Sequence, residues 1–162
     1  MGTGRWAVSG ALVYGSAAWF GVASLALPAN RLEPRQVRPQ AARSVWDGVF
    51  TEQQALRGRH EYMQACASCH AEDLRGKSTA PSLVEESFAF QWDDLSVGDL
   101  FTKIRTLMPS DRPGSLSRQS YVDIVAFMLQ KNALPSGEKE LEGDPETLSQ
   151  ILITSKRLEP PR

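Results

Sequence analysis

The sequence predicts an all-α fold in which three to five helices wrap around a large apolar group. Three capping signals precede stretches with helical spacing of apolar residues, at Thr51 (with Gln54), Ser96 (with Asp99) and Ser117. No stretch alternates apolar and polar residues for long enough to indicate a sheet. The segment between Glu72 and Leu95 is predicted to be mostly irregular, so these helices would bury only a thin core without a bound group.

Each predicted helix has a start and a stop signal. The first begins after Thr51 and runs into the only cysteine-containing segment of the chain. The second covers residues 98–107 and ends before Pro109, because proline cannot continue a helix. The third begins after Ser117, repeats apolar residues at three- and four-residue steps, and ends before Pro135.

The chain divides by composition into four segments: a leader at 1–26, a Pro- and Arg-rich linker at 27–45, a compact domain at 46–135 and a tail at 136–162. A single charge, Arg5, precedes an apolar run over residues 6–27, which is typical of an export signal. The run is either a cleaved signal peptide or an uncleaved inner-membrane anchor, since its length is close to the ~20 residues of a membrane span. An ordinary buried helix is the third reading, although the run lacks a polar face. The two export readings place the domain in the periplasm.

Composition narrows the class of function. The 162 residues are 41% hydrophobic and 23% charged with a formal net charge of −1, which excludes a strongly basic nucleic-acid binder and a polyanionic disordered chain. The arginines of the linker either keep it solvated or contact anionic lipid or an acidic partner. Potential metal ligands are scarce, with 2 Cys, 2 His and 4 Met. Both cysteines and one histidine nevertheless fall within one short motif.

That motif, Cys66-Ala67-Ser68-Cys69-His70, has the C-x-x-C-H pattern of covalent haem attachment. Cysteines three positions apart lie one helical turn apart, so both sulfurs reach the two vinyl groups on one edge of the porphyrin. The imidazole of His70 then lies beneath the ring, where Nε2 binds the iron. The pattern predicts one haem c, bound through Cys66 and Cys69 and ligated by His70.

Three other uses of the motif fit less well. A thioredoxin-like redox pair needs a βαβ setting and no histidine after the second cysteine. A zinc site needs four ligands, and the rest of the chain offers only His60 and scattered carboxylates. A structural disulfide accounts for the two cysteines but gives His70 no role.

The second axial position on iron calls for methionine or histidine. His60 and Met63 belong to the helix that leads into the motif, on the same side as His70. Met128 lies mid-helix among apolar residues, as core side chains do. Met108, at the end of a helix, is therefore the predicted sixth ligand, with ordinary packing as the alternative. Iron with both axial positions filled has no site for a substrate, so we predict an electron carrier and not an enzyme.

Beyond the motif, the chain from about residue 45 to 132 resembles the class I cytochromes c. More closely, it resembles the small mono-haem cytochromes associated with bacterial quinoprotein alcohol dehydrogenases. The resemblance is carried by the haem motif, by Met108-Pro109, and by the stretches Pro113-Gly114-Ser115-Leu116-Ser117 and Tyr121-Val122-Asp123-Ile124-Val125-Ala126-Phe127. It implies the class I cytochrome c fold, with the first and last helices crossing at Gly58 and Tyr62, near Tyr121 and Val125.

The resemblance also implies roles for three residues between the motif and Met108. The backbone carbonyl of Pro81 accepts a hydrogen bond from Nδ1–H of His70, and Leu83 packs against the ring. Trp92 lies near a haem propionate, or is a buried tryptophan without a haem hydrogen bond. The two aspartates that follow Trp92 depart from the family pattern, and their charges would repel a propionate. Four cations are expected to border the haem or to form ordinary charged surface: Arg75, Lys77, Arg105 and Arg112.

The function implied is a periplasmic shuttle for single electrons. Its donor would be a dehydrogenase, in particular a quinoprotein, and its acceptor another cytochrome or a terminal oxidase. One alternative is a dedicated cytochrome subunit of one dehydrogenase complex, with the linker and the apolar stretch Leu148–Ile153 wrapped on the partner. Another is a haem-based sensor in which a small ligand displaces Met108. Membrane contact is expected only if the N-terminal segment is retained.

Overall fold

The structure, a computed structural model, describes residues 43–156. The expectations for the leader at 1–26, for the linker up to residue 42 and for residues 157–162 of the tail lie outside the described residues. Within the described range, no helix is both long enough and apolar enough to cross a membrane.

Helices account for most of the regular structure. In chain order the elements are β1 (Arg43–Ser44), a 3-10 helix (Val45–Asp47), α1 (Glu52–Ala65), α2 (Ala67–His70), α3 (Glu85–Trp92), α4 (Val97–Leu107), α5 (Arg118–Lys131), α6 (Pro145–Ser149) and β2 (Ile151–Leu152). β1 and β2 pair in parallel over two residues each, and no other strands are present between residues 43 and 156. The predicted all-α class is confirmed, with one helix more than the three to five expected.

The three predicted helix starts are confirmed by hydrogen bonds at the N-caps. Thr51 accepts from the backbone N–H of Gln54 at 3.1 Å, and Ser117 caps α5 in the same way. Ser96 and Asp99 form a complete reciprocal capping box on α4. Gln54 does not return the bond to its cap. Its buried amide instead pairs with the backbone N–H and C=O of Leu141, at 2.7 and 2.8 Å.

The mostly irregular segment predicted between Glu72 and Leu95 is wrong for residues 85–92, which form α3. No side chain caps this helix, so the sequence carries no start signal there. The buried side chains Phe88 and Trp92 lie one turn apart and attach α3 to the core.

The crossing of α1 and α5 forms the centre of the domain. A Cβ atom at Gly58 would lie only 1.7 Å from the carbonyl oxygen of Asp123, so glycine alone permits this approach. One turn later, the rings of Tyr62 and Phe127 lie 5.4 Å apart. The predicted crossing at Gly58 and Tyr62 is confirmed, although the backbone atoms nearest Gly58 belong to Asp123 and Ile124.

The tail returns to the domain. Leu141, Leu148, Ile151 and Ile153 are all buried in the same core as α5. The backbone N–H of Ile153 donates to the carbonyl of Leu95 at 2.8 Å, and α6 packs against α4. The apolar stretch Leu148–Ile153, which the sequence offers as a surface for a partner, is thus covered by the chain's own helices.

Arg57 joins α1, α5 and the tail. Its guanidinium lies 2.9 Å from the buried carboxylate of Asp123 and 2.8 Å from that of Glu140. The hydrogen bonds that Arg57 donates to Glu140 and Asp123 raise the pKa of Arg57 above its ordinary value. The pairing compensates for burial of the Asp123 charge, which would be costly without a partner.

Candidate functional site

A cavity of about 620 Å³ lies between the haem motif, the loop that follows it, and helices α3, α4 and α5. Its volume is typical of sites that hold a cofactor, roughly 300–1,000 Å³. All seven residues singled out in the sequence line this cavity: Cys66, Cys69, His70, Pro81, Leu83, Trp92 and Met108. Residues separated by more than forty positions are therefore brought to one site by the fold.

The cysteine wall is built by the short helix α2. The backbone N–H groups of Cys69 and His70 both donate to the carbonyl of Cys66, at 3.1 and 3.0 Å, which closes one helical turn. Both cysteines are free, with Cys66 half-buried and Cys69 exposed. Burial, followed by the charge of Cys69, raises the pKa of the Cys66 thiol to about 11. This direction is opposite to that of redox-active thiols, whose pKa is lowered.

His70 is buried and held in one tautomer. Its Nδ1 lies 3.0 Å from the carbonyl oxygen of Pro81, which can only accept a hydrogen bond. Nδ1 therefore carries the proton, and Nε2 keeps the lone pair that a metal needs. The structure contains the His70–Pro81 contact that the family resemblance implies.

The loop that carries Pro81 is fixed by its own backbone. The N–H of Gly76 donates to the carbonyl of His70 at 2.9 Å, and the N–H of Leu83 donates to that of Leu74 at 2.8 Å. Gly76 has φ of +81°, and a Cβ there would lie 2.3 Å from the carbonyl oxygen of Ala80. The turn that delivers Pro81 to His70 thus depends on glycine.

A hydrogen bond from Tyr62 connects the wall that carries His70 to α1. The hydroxyl of Tyr62 donates to the carbonyl of Ala71, the residue after His70, at 2.8 Å. Burial is the main cause that raises the pKa of Tyr62, so this hydroxyl stays protonated and remains a donor.

Met108 lies on another wall of the cavity, directly after α4. Its backbone N–H donates to Ile104 at 2.9 Å, and its carbonyl accepts from the hydroxyl of Tyr121 at 2.8 Å. Met128, which the sequence assigns to core packing, is indeed buried but also lines the cavity. Two thioethers are therefore available at the site. His60 is exposed, is hydrogen-bonded to Gln64, and is not part of the lining.

Trp92 is 4% exposed and has a cationic neighbour that the sequence did not single out. The Nζ of Lys103 lies 5.0 Å from the centroid of the Trp92 ring, and both residues line the cavity. The next two aspartates, whose charges were expected to repel a propionate, are not among the residues that line the cavity. The carboxylate of Asp93 turns to the tail, where it accepts from the hydroxyl of Ser155 at 2.7 Å.

Of the four cations expected to border the haem, Lys77 alone lines the cavity. Arg75 pairs with Glu85, and Arg112 with Asp111, both on the exposed surface. The second cation that lines the cavity is Lys103, which is not one of the four predicted. Its sequence neighbourhood resembles that of any surface lysine on an amphipathic helix, so no local signal distinguishes it.

The residues of the cavity fit a haem. One wall presents two free thiols one turn apart and a histidine of fixed tautomer, and the others present two thioethers and apolar side chains. This donor set suits haem iron, whose common axial ligands in cytochromes are histidine and methionine. In the described chain, no group of three or more His, Cys, Asp or Glu residues is arranged to hold a metal ion by itself.

Residues 53–128 match the family model described as cytochrome c oxidase, cbb3-type, subunit III. The matched span contains the haem motif and all seven cavity residues singled out above. These residues form a class I c-type cytochrome domain. The family implies haem as the cofactor, electron transfer as the general role and redox proteins as partners.

One solved structure is similar to part of this chain. The sulfane dehydrogenase SoxCD from Paracoccus pantotrophus aligns over 75% of this chain and 68% of its own, with 21% identity and a TM-score of 0.43. No curated protein matches the chain.

Proposed function

We propose that this protein is a mono-haem c-type cytochrome that transfers single electrons between redox proteins in the periplasm and has no enzymatic activity of its own. The observation that carries the proposal is the hydrogen bond from His70 Nδ1 to Pro81, in a cavity that also presents Cys66, Cys69 and Met108. That bond prepares Nε2 as an iron ligand on the wall where both thiols can attach the porphyrin.

The roles of the residues follow from their positions. Cys66 and Cys69 would hold one haem c through thioether bonds, and His70 and Met108 would be its axial ligands. When bound, the haem supplies the change between ferrous and ferric iron. The chain supplies rigidity, because the Pro81 carbonyl holds the imidazole and the apolar lining excludes water from the ligands.

The two cysteines differ in a way that suits transfer to a partner. Cys66 is half-buried, whereas Cys69 is exposed, so the porphyrin edge attached through Cys69 would lie near the surface. A partner needs to contact only that edge for an electron to pass. We therefore expect a small and short-lived interface.

Met108 is favoured over Met128 as the second ligand by its place in the chain. Met128 lies in the middle of α5 and is 2% exposed within the core cluster. Met108 follows the last residue of α4, is only partly buried, and lies just before the exposed segment 110–115, so it is not part of the packed core. Ligation by Met108 would raise the reduction potential and leave no open iron position.

The export and partner assignments belong to the same proposal. The apolar run at 6–27 supports export as a cleaved leader or an anchor, and thioether attachment needs reduced thiols to meet haem outside the cytoplasm. A dehydrogenase, in particular a quinoprotein, is the proposed donor. The proposed acceptor is another cytochrome or a terminal oxidase. In the alternative, the protein is a dedicated cytochrome subunit of one dehydrogenase complex.

The test is an optical spectrum of the periplasmically expressed holoprotein, ferric and ferrous, beside Met108→Ala and the matched variant Met128→Ala. The wild type is expected to show the weak long-wavelength ferric band of a methionine-ligated iron and to resist added cyanide. Met108→Ala is expected to lose the band and to bind cyanide, whereas Met128→Ala keeps the band.

Each other outcome has a defined meaning. Loss of the band only in Met128→Ala would move the sixth ligand to α5 and leave the carrier function standing. A wild type that lacks the band, or that binds cyanide and carbon monoxide freely, would overturn the carrier proposal in favour of a haem-based sensor or an enzyme.

A further inference from the structure

Hydrogen bonds made by one side chain, that of Tyr121, hold both ends of the segment between Met108 and Leu116. The hydroxyl of Tyr121 donates to the carbonyl of Met108 at 2.8 Å and accepts from the backbone N–H of Leu116 at 3.4 Å. Between these two residues, Arg112 bonds to Pro109 and Ser115 bonds to Arg112. In the described chain, every other hydrogen bond of residues 109–116 stays within that segment. Tyr121 therefore makes the polar contacts that connect the segment to the core.

Tyr121 itself is firmly held. It lies in the first turns of α5, where its backbone N–H donates to the Ser117 carbonyl at 3.1 Å, and it is 1% exposed. The body of α5 packs against α1 at the glycine contact of Gly58. The phenol thus connects an exposed segment to the closely packed pair of α1 and α5, and a buried hydroxyl left without its acceptor would be unfavourable.

We propose that the Tyr121 hydroxyl is the positioning group that keeps the Met108 thioether on the iron. The inference rests on the proposed function, since it requires Met108 to be the sixth ligand. Holding the Met108 carbonyl restricts the rotation of the backbone where α4 ends, and so restricts where the thioether can lie. Because a thioether favours ferrous iron, the contribution of Tyr121 is expected to be largest in the ferric state, where the iron–sulfur bond is weaker.

The fold provides a control outside the cavity. The side-chain amide of Gln54 also donates to a backbone carbonyl, that of Leu141, at the same 2.8 Å, and Gln54 is 0% exposed. Gln54 does not line the cavity. Gln54→Met therefore removes buried hydrogen bonds without changing a side chain of the haem site.

The experiment compares the ferric holoproteins of the wild type, Tyr121→Phe, Gln54→Met and Met108→Ala. Phenylalanine keeps the buried ring and methionine keeps the length of the glutamine side chain, so both variants are expected to fold. Cyanide and imidazole affinities, the long-wavelength band and the urea midpoint are measured for each. We expect Tyr121→Phe to bind cyanide about ten-fold more tightly than the wild type, the effect of about one net hydrogen bond. Gln54→Met should change this affinity less than two-fold, although both variants unfold at lower urea concentrations than the wild type.

Two results would overturn the inference. An unchanged cyanide affinity in Tyr121→Phe, or an equal increase in Gln54→Met, would reduce Tyr121 to a purely structural role. Failure of Met108 as the ligand is recognised separately: Met108→Ala would then keep the band and the cyanide affinity of the wild type, and the assignment of Tyr121 would fall with it. Failure of the proposed function shows in the wild type itself, which would lack the band or bind cyanide freely.

Discussion

Gly58→Ala tests the packing on which the whole site depends. The added methyl would lie 1.7 Å from the carbonyl oxygen of Asp123, and ordinary contact begins at 3.4 Å, so about 1.7 Å of separation is required. The obstructing atoms are backbone on α5 and cannot turn away like the end of a side chain. The helices must move apart, which also separates Tyr62 from Phe127 across the same interface.

The expected magnitude follows from two opposing effects. Alanine in place of glycine favours a helix by about 1 kcal/mol. Forcing a methyl into a packed core costs typically 1–3 kcal/mol, and we expect about 3 kcal/mol here because the clash is with backbone. Gly58→Ala should therefore lower the free energy of unfolding by about 2 kcal/mol. With a urea m-value of about 2 kcal/mol/M, the midpoint falls by about 1 M.

The assay is urea denaturation of the holoprotein followed by far-ultraviolet circular dichroism. The exposed position Arg59, next along α1, provides the control. Comparison of Arg59→Ala with Arg59→Gly measures the helix-propensity effect without the clash and should favour alanine by about 1 kcal/mol. If Gly58→Ala is as stable as the wild type or more stable, the described contact between α1 and α5 is refuted.

Two further predictions concern α4 and the tail. Hydrogen bonds from Ser96 hold the pKa of Asp99 below its ordinary value of 3.8, so its stabilising effect is complete above that ordinary pKa and is lost as the pH falls through the lower, folded-state pKa. Asp99→Asn should cost about 0.5 kcal/mol at neutral pH, and denaturation curves of the two proteins should converge in acid; a constant difference would contradict this. Leu148→Ala removes a fully buried side chain of α6 and should cost about 3 kcal/mol in thermal unfolding. The control Leu107→Ala, at a side chain 52% exposed, should change stability by less than about 0.5 kcal/mol. Equal effects would show that the tail does not belong to the folded domain.

Local signals account for what the sequence predicted well. The helix starts at Thr51, Ser96 and Ser117 depend on bonds within one turn, so the residues that make them are neighbours in sequence. The C-x-x-C-H motif is equally local, because one helical turn places both thiols and His70 on a single wall.

Long-range packing accounts for what the sequence did not show. α3 lacks a capping side chain and is attached by burial of Phe88 and Trp92 alone. Helix α6 does have a start signal in the sequence, an Asp144 cap followed by Pro145. The packing of the tail against the domain, however, depends on residues far away in sequence. The Gln54–Leu141 pair spans 87 positions and illustrates the difficulty.

Long-range packing also limits what the sequence can predict about the site. α5 is buried on nearly every side, so apolar spacing cannot separate the face that meets other helices from the face that lines the cavity. Met128 therefore has the sequence pattern of a core residue although it borders the cavity. Lys103 was missed because its nearness to Trp92 depends on how α3 and α4 pack.

The parallel pairing of β1 and β2 has a consequence for protein engineering. Arg43 pairs with Ile151 and Ser44 with Leu152, so the first and last strands of the folded unit lie side by side, about 5 Å apart. Because the strands are parallel, a peptide that joins the two ends must run back along the pair, so a circular permutant with new termini in the exposed segment 110–115 needs a crossover linker of about a dozen residues. The same geometry makes the unit portable, because it can be spliced into a surface loop of a host protein without forcing the two sides of that loop apart.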